Sequence, residues 1–533
     1  MPTFKLDGKE IPFTPGQTII AAAHKQGIEI PHYCWHPGLS IAANCRMCLV
    51  EIMPPPNQRP IMLDILEWDE AAKDYKPARK PKLQPACQMM AAEGMEVLSD
   101  TSQHVQKARH DVQEFLLLNH PVDCPICDQA GECKLQDYWL EHGRYQKRMR
   151  DEVVHKPKAV SFGPTIVYDA ERCVVCTRCI RFMDEVAKDP VLDQRERGNI
   201  KEIIVAPGRQ LEGHYTYMVD HVCPVGALTT KDFRFKARVW FLRGARSVCQ
   251  GCATGCNAWL DFDPRNNTAY RYRPRENEEV NKYWMCDEGM TSYAAAHEDR
   301  LVDPRMGQKP ASQAKALDKA KKLLDGVPAP SIAIVLSAQA SLEDNWALRE
   351  LGKGLLGATN FYVAKAPAGY KDTILIHEDK NSNAEGVKLV APDAKPWADF
   401  LAGVESGAIR HVIALGARTG AEDEETAKLG KLEALITIAS HQCSLSAAAK
   451  VLLPATSWAE QSGTYVNAKG VRQVSDKAIE PQGNCRPAFE QVAQLAKALG
   501  YEPTWAKLKD VRARLSAPDP KPEVLPTTST QAV

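Results

Sequence analysis

Fifteen of the 17 cysteines in this chain lie between positions 34 and 286, and that crowding limits what the chain can fold into more than any other feature. So many thiols are either cross-linked to one another or wrapped around metal. Disulfides belong to oxidising compartments. The start, Met1 to Glu10, has no basic stretch followed by an apolar one, so no secretory signal is expected. No apolar run approaches the roughly eighteen residues that a membrane-spanning helix needs. The expected setting is therefore the cytoplasm or an organelle interior, with the thiols as metal ligands.

Spacing divides the thiols into four groups. The most specific is Cys173, Cys176 and Cys179, the C-x2-C-x2-C run CVVCTRC, followed far downstream by Cys223-Pro224. It resembles the bacterial ferredoxin run, in which three cysteines wrap a cubane and a distant cysteine before proline completes a set. A second group is Cys34, Cys45 and Cys48 within HYCWHPGLSIAANCRMC, with Cys87 far away as the fourth. Its small residues let backbone N–H groups approach inorganic sulfide and tune a cluster. Iron–sulfur is the favoured reading, although Cys45 and Cys48 alone would also make half a zinc site. A third group, His120, Cys124, Cys127 and Cys133 in HPVDCPICDQAGEC, suits zinc and a cubane equally by its residues. An ordinary capping or surface role for His120 also stands. The last group is Cys249, Cys252 and Cys256, with Cys286 from WMCDEG. Gly251 and Gly255 allow close backbone approach there, which favours a cubane over its competitor, zinc. Fifteen cysteines and one histidine are sixteen ligands, enough for four four-ligand centres. Cys443 and Cys485 fall outside and read as buried or half-buried free thiols.

The rest of the chain is built for folding. Its 533 residues suffice for several domains, and 44% hydrophobic with 25% charged content excludes a wholly disordered chain. Lys plus Arg equals Asp plus Glu at 67 each, which excludes a global polycation for nucleic acid. Thr3–Leu6, the Asp7-Gly8 turn and Ile11–Phe13 predict a hairpin, and Thr18–Gln26 a short helix. The basic stretch from Lys73 to Lys82 reads as an exposed loop. Residues 100–145 read as helical around a Pro/Gly/Cys interruption, and 160–235 as short strands with cysteine-rich turns. Arg238–Leu242 reads as a strand, before the basic, aromatic Tyr270–Arg273. Beyond 301, Ala311–Leu324 predicts a helix. Ser331–Leu336, Thr373–His377, His411–Leu415, Leu435–Ala439 and Val451–Leu453 predict strands of a parallel sheet covered by helices. The chain contains no HExxH or GxSxG, and no G-x-G-x-x-G that follows a predicted strand. Gly352–Gly357 reads as a turn or close-packing feature. The proline-rich tail from 517 is expected to fray.

Residues 1 to about 300, with these cysteine groups in this order, resemble the large iron–sulfur subunit family of respiratory complex I, the NADH–quinone oxidoreductase G subunits. The resemblance implies a [2Fe–2S] cluster on Cys34, Cys45, Cys48 and Cys87. It implies [4Fe–4S] clusters on His120, Cys124, Cys127 and Cys133, and on Cys173, Cys176, Cys179 and Cys223. A further [4Fe–4S] cluster on Cys249, Cys252, Cys256 and Cys286 matches a site of some bacterial members, off their main electron path and so structural by analogy. The implied division is a ferredoxin-like (β-grasp) domain at 1–99, a His/Cys3 cluster domain at 100–145 and a ferredoxin-like cluster domain at 146–235. An additional cluster domain at 236–300, a shortened molybdopterin-oxidoreductase-like α/β scaffold at 301–516 and a flexible tail at 517–533 follow. Leu453–Gln473 resembles the core of that α/β domain. Catalytic relatives give molybdenum a cysteine or selenocysteine after the equivalent cluster. No cysteine lies between Cys286 and Cys443, so no molybdopterin is expected. The implied function is electron relay toward quinone, as one subunit of an oxidoreductase with no catalytic side chain or hydride-transfer site on this chain. The implied partners are an NADH-oxidising flavoprotein and other iron–sulfur subunits. The implied location is the cytoplasmic side of a bacterial inner membrane, peripherally. Competing readings are the diaphorase part of an NAD-linked hydrogenase or formate dehydrogenase, and a zinc-stabilised scaffold.

Overall fold

A computed structural model describes residues 1–55 and 58–515 and the backbone of Val524–Pro526. The predicted tail from 517 otherwise lies outside the described residues. The chain forms two compact units, the first ending at Val239 and the second beginning at Trp240.

The first unit opens with the predicted hairpin, Thr3–Leu6 against Lys9–Pro12. Asp7 and Gly8 both have positive φ (47° and 82°), the geometry a two-residue hairpin turn demands and Asp-Gly supplies. The Asp7 carboxylate accepts the N–H groups of Ser99 (2.8 Å) and Asp100 (3.1 Å), tying the turn to the far end of the domain. Thr3–Leu6 also pairs parallel with Glu96–Leu98, within a five-stranded sheet that includes Leu49–Met53 and Gln84–Pro85. The helix Ile19–Lys25, capped by Thr18, buries Ile19, Ile20, Ala22 and Ala23 in a core shared with Phe4, Val50 and Val97. Cys48 and Cys87 belong to that same core.

The expected basic loop is instead the second strand of a hairpin, Met62–Asp69 against Asp74–Pro81. Cross-strand charges hold it: Lys80 meets Glu67 at 2.6 Å, and Lys76 meets Asp69. Its prolines are tolerated because a two-stranded ribbon leaves outward-facing positions without ladder partners. Helices Gln103–Leu117 and Lys134–His142 flank the cysteine interruption as predicted. An antiparallel sheet of Val160–Ser161, Ile166–Tyr168 and Leu228–Thr230 follows the predicted pattern of short strands.

In the second unit, Arg243–Val248, Asn257–Asp263 and Thr268–Pro274 form an antiparallel sheet that the backbone of Val524–Pro526 extends. The predicted strand Arg238–Leu242 is not formed, because Val239–Phe241 is a 3-10 turn. The strand starts only at Arg243, where Phe262 first offers a partner. The larger sheet runs Lys309–Pro310, Arg305–Met306, Val451–Pro454, Ala434–Ala439, His411–Leu415, Ile332–Ser337, Asn360–Ala364, Lys395–Pro396. From Val451–Pro454 to Lys395–Pro396 it is parallel. Thr373–His377 is not among its strands. Asp372 accepts the N–H groups of Ile374, Leu375 and Ile376 and curls that segment into a turn. Asn360–Ala364, unpredicted, takes the position instead. Gly352 packs as expected: a Cβ there would stand 2.6 Å from Ile334 Cγ1. Strand order reverses between Ile332–Ser337 and His411–Leu415, which opens a crevice at their carboxyl ends. Among the described residues no helix is long and apolar enough to cross a membrane.

Candidate metal centres

All seventeen cysteines are free thiols. Cys173 and Cys176 occupy the turn after Ile166–Tyr168, and Cys179 sits on the short helix Arg178–Arg181. Val175 and Thr177 have φ of 52° and 65°, which curls the backbone inward, and the Val175 N–H donates to Cys173 Sγ at 3.4 Å. Cys223 arrives after the helix Tyr217–His221, close enough that Cys173 and Cys176 both repel a charge on it. Burial pushes Cys173 up to about 11 and holds Cys179 well above its ordinary value, so these thiols stay protonated at neutral pH unless a metal displaces the proton.

The Cys34–Cys48 loop is shaped by positive φ at Ala43 (51°) and Arg46 (61°). Cys34 pairs with Cys45, and Cys48 with Cys87. The hydrogen bond from Cys45, supported by the Asn44 and Cys45 amides, holds Cys34 down to about 5; its counterpart at Cys45 is pushed up by the same bond and by burial. Cys87 reaches the group because the Ala86 N–H donates to the Cys48 carbonyl (2.9 Å). The Met62–Pro81 hairpin accounts for much of the intervening sequence.

In the third group Cys124 begins a 3-10 turn and Cys133 caps the helix Lys134–His142. His120, Cys124 and Cys133 line one cavity of about 340 Å³ with Trp139. Burial, with Arg172 nearby, holds His120 down to about 4, leaving a neutral imidazole able to ligate metal. Cys127 is within electrostatic reach of both Cys124 and Cys133.

The fourth group belongs to the second unit. Cys249, Cys252 and Cys256 lie on the connection between Arg243–Val248 and Asn257–Asp263, closed by the Cys249 N–H on the Cys256 carbonyl (2.9 Å). Cys286 caps the helix Asp287–Thr291, with its Sγ accepting the Gly289 N–H at 3.3 Å. The four cysteines line a cavity of about 220 Å³ with Leu375 and Ile376. The α/β part of the unit grips the loop, as Ala253 N–H donates to the Asp379 carbonyl and Thr254 Oγ1 to that of Leu375.

Cys249, Cys252, Cys256 and Cys286 thus line one cavity, His120, Cys124 and Cys133 another, and Cys34 pairs with Cys45 and Cys48 with Cys87. Among the described residues, no three His, Cys, Asp or Glu side chains converge on a point as ligands of one ion would. Sets made almost wholly of thiolates fit an iron–sulfur core by their donor chemistry, since its irons take cysteine sulfur.

Sequence reasoning missed the residues that pack the groups. A Cβ on Gly289 would stand 3.2 Å from Cys249 Sγ, and one on Gly226 only 2.3 Å from Cys127 Sγ. Both glycines follow a ligand cysteine by three residues, the one signal that could have marked them. Gly226→Ala is expected to expel the iron of the His120 group and to erase its EPR signal, leaving the others. Full iron content in that variant would refute the packing argument.

The three groups of the first unit are neighbours. Arg181 donates to the carbonyls of Cys34 and Cys176, and Asn44 Nδ2 donates to Val175 O at 3.2 Å. The Lys134 N–H, next to Cys133, donates to Pro224 O, next to Cys223, at 3.0 Å. The Cys173 group therefore adjoins both the Cys34 group and the His120 group.

Four family models match along the chain. They are a 2Fe-2S iron-sulfur cluster binding domain at 1–102, the NADH-ubiquinone oxidoreductase-G iron-sulfur binding region at 109–148, the NADH-quinone oxidoreductase subunit 3 ferredoxin-like domain at 163–229, and molybdopterin oxidoreductase at 331–498. Fold and sites define an iron–sulfur protein carrying a molybdopterin-oxidoreductase-like α/β domain. Among curated relatives, the NADH-quinone oxidoreductase G subunit of Rickettsia felis is 28% identical, over 96% of this chain and 89% of its own length. The protein of the same name from Streptomyces coelicolor is 36% identical over 57% of this chain and 33% of its own length. The mitochondrial NADH dehydrogenase [ubiquinone] iron-sulfur protein 1 of Solanum tuberosum is 38% identical over 56% of this chain and 37% of its own. The chain belongs to the family of NADH-quinone oxidoreductase G subunits.

Proposed function

We propose that this chain is the electron-relay subunit of an NADH–quinone oxidoreductase. The observation that carries the reading is the contiguity of three largely buried ligand groups in one unit, linked through hydrogen bonds to backbone carbonyls beside the ligands. In this reading Cys34, Cys45, Cys48 and Cys87 hold a [2Fe–2S] cluster. The other three groups, completed by His120, hold [4Fe–4S] clusters. Bound there, the clusters supply one-electron carriers. The chain's own residues fix their spacing, exclude water and aim N–H groups at sulfur.

The segment boundaries at 99, 145, 235, 300 and 516 separate these centres from each other and from the α/β part. The α/β part serves as scaffold. Its crevice, of about 370 Å³, is lined by Cys443. The support for a domain without molybdopterin is that no cysteine lies between Cys286 and Cys443 to ligate molybdenum. The partners in this reading are an NADH-oxidising flavoprotein and further iron–sulfur subunits, on the cytoplasmic side of a bacterial inner membrane, with no hydride-transfer site on this chain.

Iron and acid-labile sulfide analysis of the anaerobically purified protein, with EPR of the reduced complex, tests this. Iron and sulfide are expected in near-equal amounts, with one binuclear and three cubane centres. A colourless protein with stoichiometric zinc would replace the relay by a scaffold.

A further inference from the structure

Arg178 is 2% exposed, on the short helix between Cys176 and Cys179. Its guanidinium donates to the Trp35 carbonyl, beside Cys34, and at 3.3 Å to the Val222 carbonyl, beside Cys223. Its Nε is buried with no hydrogen-bond partner. Arg181, one turn on, donates to the carbonyls of Cys34, Ser40 and Cys176. Both side chains therefore lie where the Cys34 group meets the Cys173 group. Neither forms an ion pair with a carboxylate among the described residues; the groups bearing electrostatically on Arg178 are led by Cys176, Tyr138 and Cys45.

A guanidinium keeps its charge in proteins, and a buried charge without a counter-ion is costly. Two neutral donors would have satisfied the carbonyls at no such cost. The counter-charge that fits this place is the thiolate-bound core on either side, which becomes more negative on reduction.

We propose that Arg178 and Arg181 are positioning residues that set the potentials of both adjoining centres, favouring the reduced state of each. Each centre takes up one electron, with no bond made or broken and no proton required. The inference rests on the relay reading above. A fixed positive charge stabilises the reduced, more negative form and raises its potential. The His120 group and the Cys249 group do not share these carbonyl contacts and serve as internal references.

The test is an EPR-monitored redox titration of the whole complex, with dithionite as reductant. Arg178→Met is expected to shift the midpoints of the Cys34-group and Cys173-group centres to more negative values and leave the other two in place. Arg178→Lys, which retains the charge, is expected to restore most of the shift. If Arg178→Met fails to assemble its centres, Arg181→Met, at a more exposed position, decides with the same expected direction. Unchanged midpoints in the variant that assembles, or equal shifts with lysine and methionine, overturn the proposal. Wild-type protein without EPR-active centres instead overturns the relay reading, so the two failures are distinct.

Discussion

Replacing Cys176 with serine is expected to remove one [4Fe–4S] centre and to bring NADH–quinone reductase activity to background, while NADH oxidation by the flavoprotein partner with an artificial dye survives. Cys176 is the middle ligand of the C-x2-C-x2-C run and is 7% exposed. A serine hydroxyl ionises far less readily than a thiol in that buried place, so it is a poor substitute for thiolate. The Cys173 group adjoins both other groups of the first unit, so in the relay reading its loss removes a carrier from the series. EPR of the reduced complex reads the centre, and parallel assays with dye and quinone read the two ends. Unchanged quinone reduction alongside a lost EPR signal would sink the relay.

The second large effect concerns stability. Asp261 is fully buried in the sheet of the second unit, between Arg271 Nε (2.8 Å) and Arg273 Nε (2.6 Å). Those two arginines are the basic half of the Tyr270–Arg273 stretch, whose charge is met within the sheet. Asp261→Ala leaves both guanidinium groups mostly buried without their counter-ion, at a cost of about 3–5 kcal/mol. Hydrogen exchange of the Arg243–Val248 and Asn257–Asp263 amides at neutral pH is expected to show that loss locally. Desolvation pushes the carboxyl up, but Arg273 and Arg271 outweigh it and hold the group below its ordinary value. The folded value is therefore below the unfolded one, roughly 3.9. The stabilisation is complete above that value and is lost as pH falls through the folded one. The gap in urea midpoint between wild type and variant is expected to stay level from neutrality down to about pH 5 and to narrow below about pH 4. A gap that widened on acidification would contradict the ion-pair account.

Local patterns were read well wherever short-range chemistry decides. The Asp7-Gly8 hairpin, the Thr18-capped helix and the strand His411–Leu415 formed where their residues place them. The errors lie where distant partners decide. Lys73–Lys82 looked like a loop because charges and prolines dominate it, yet Met62–Asp69 supplies a matching strand. Thr373–His377 has strand-forming residues, but one carboxylate, Asp372, captures three consecutive N–H groups. Arg238–Leu242 is apolar enough for a strand and has no partner until Arg243.

The sixteen candidate ligands and their division into four groups were determined by the sequence alone, because metal ligation needs particular side chains at short, countable spacings. Tertiary structure decided what spacing cannot carry. It brought Cys87 to Cys48 across a 38-residue gap and set the Cys173 group against both the Cys34 group and the His120 group. It also required glycine at 226 and 289, and buried Arg178 and Arg181 between two centres. These depend on which distant backbone segments pack side by side, and therefore on the folded chain as a whole.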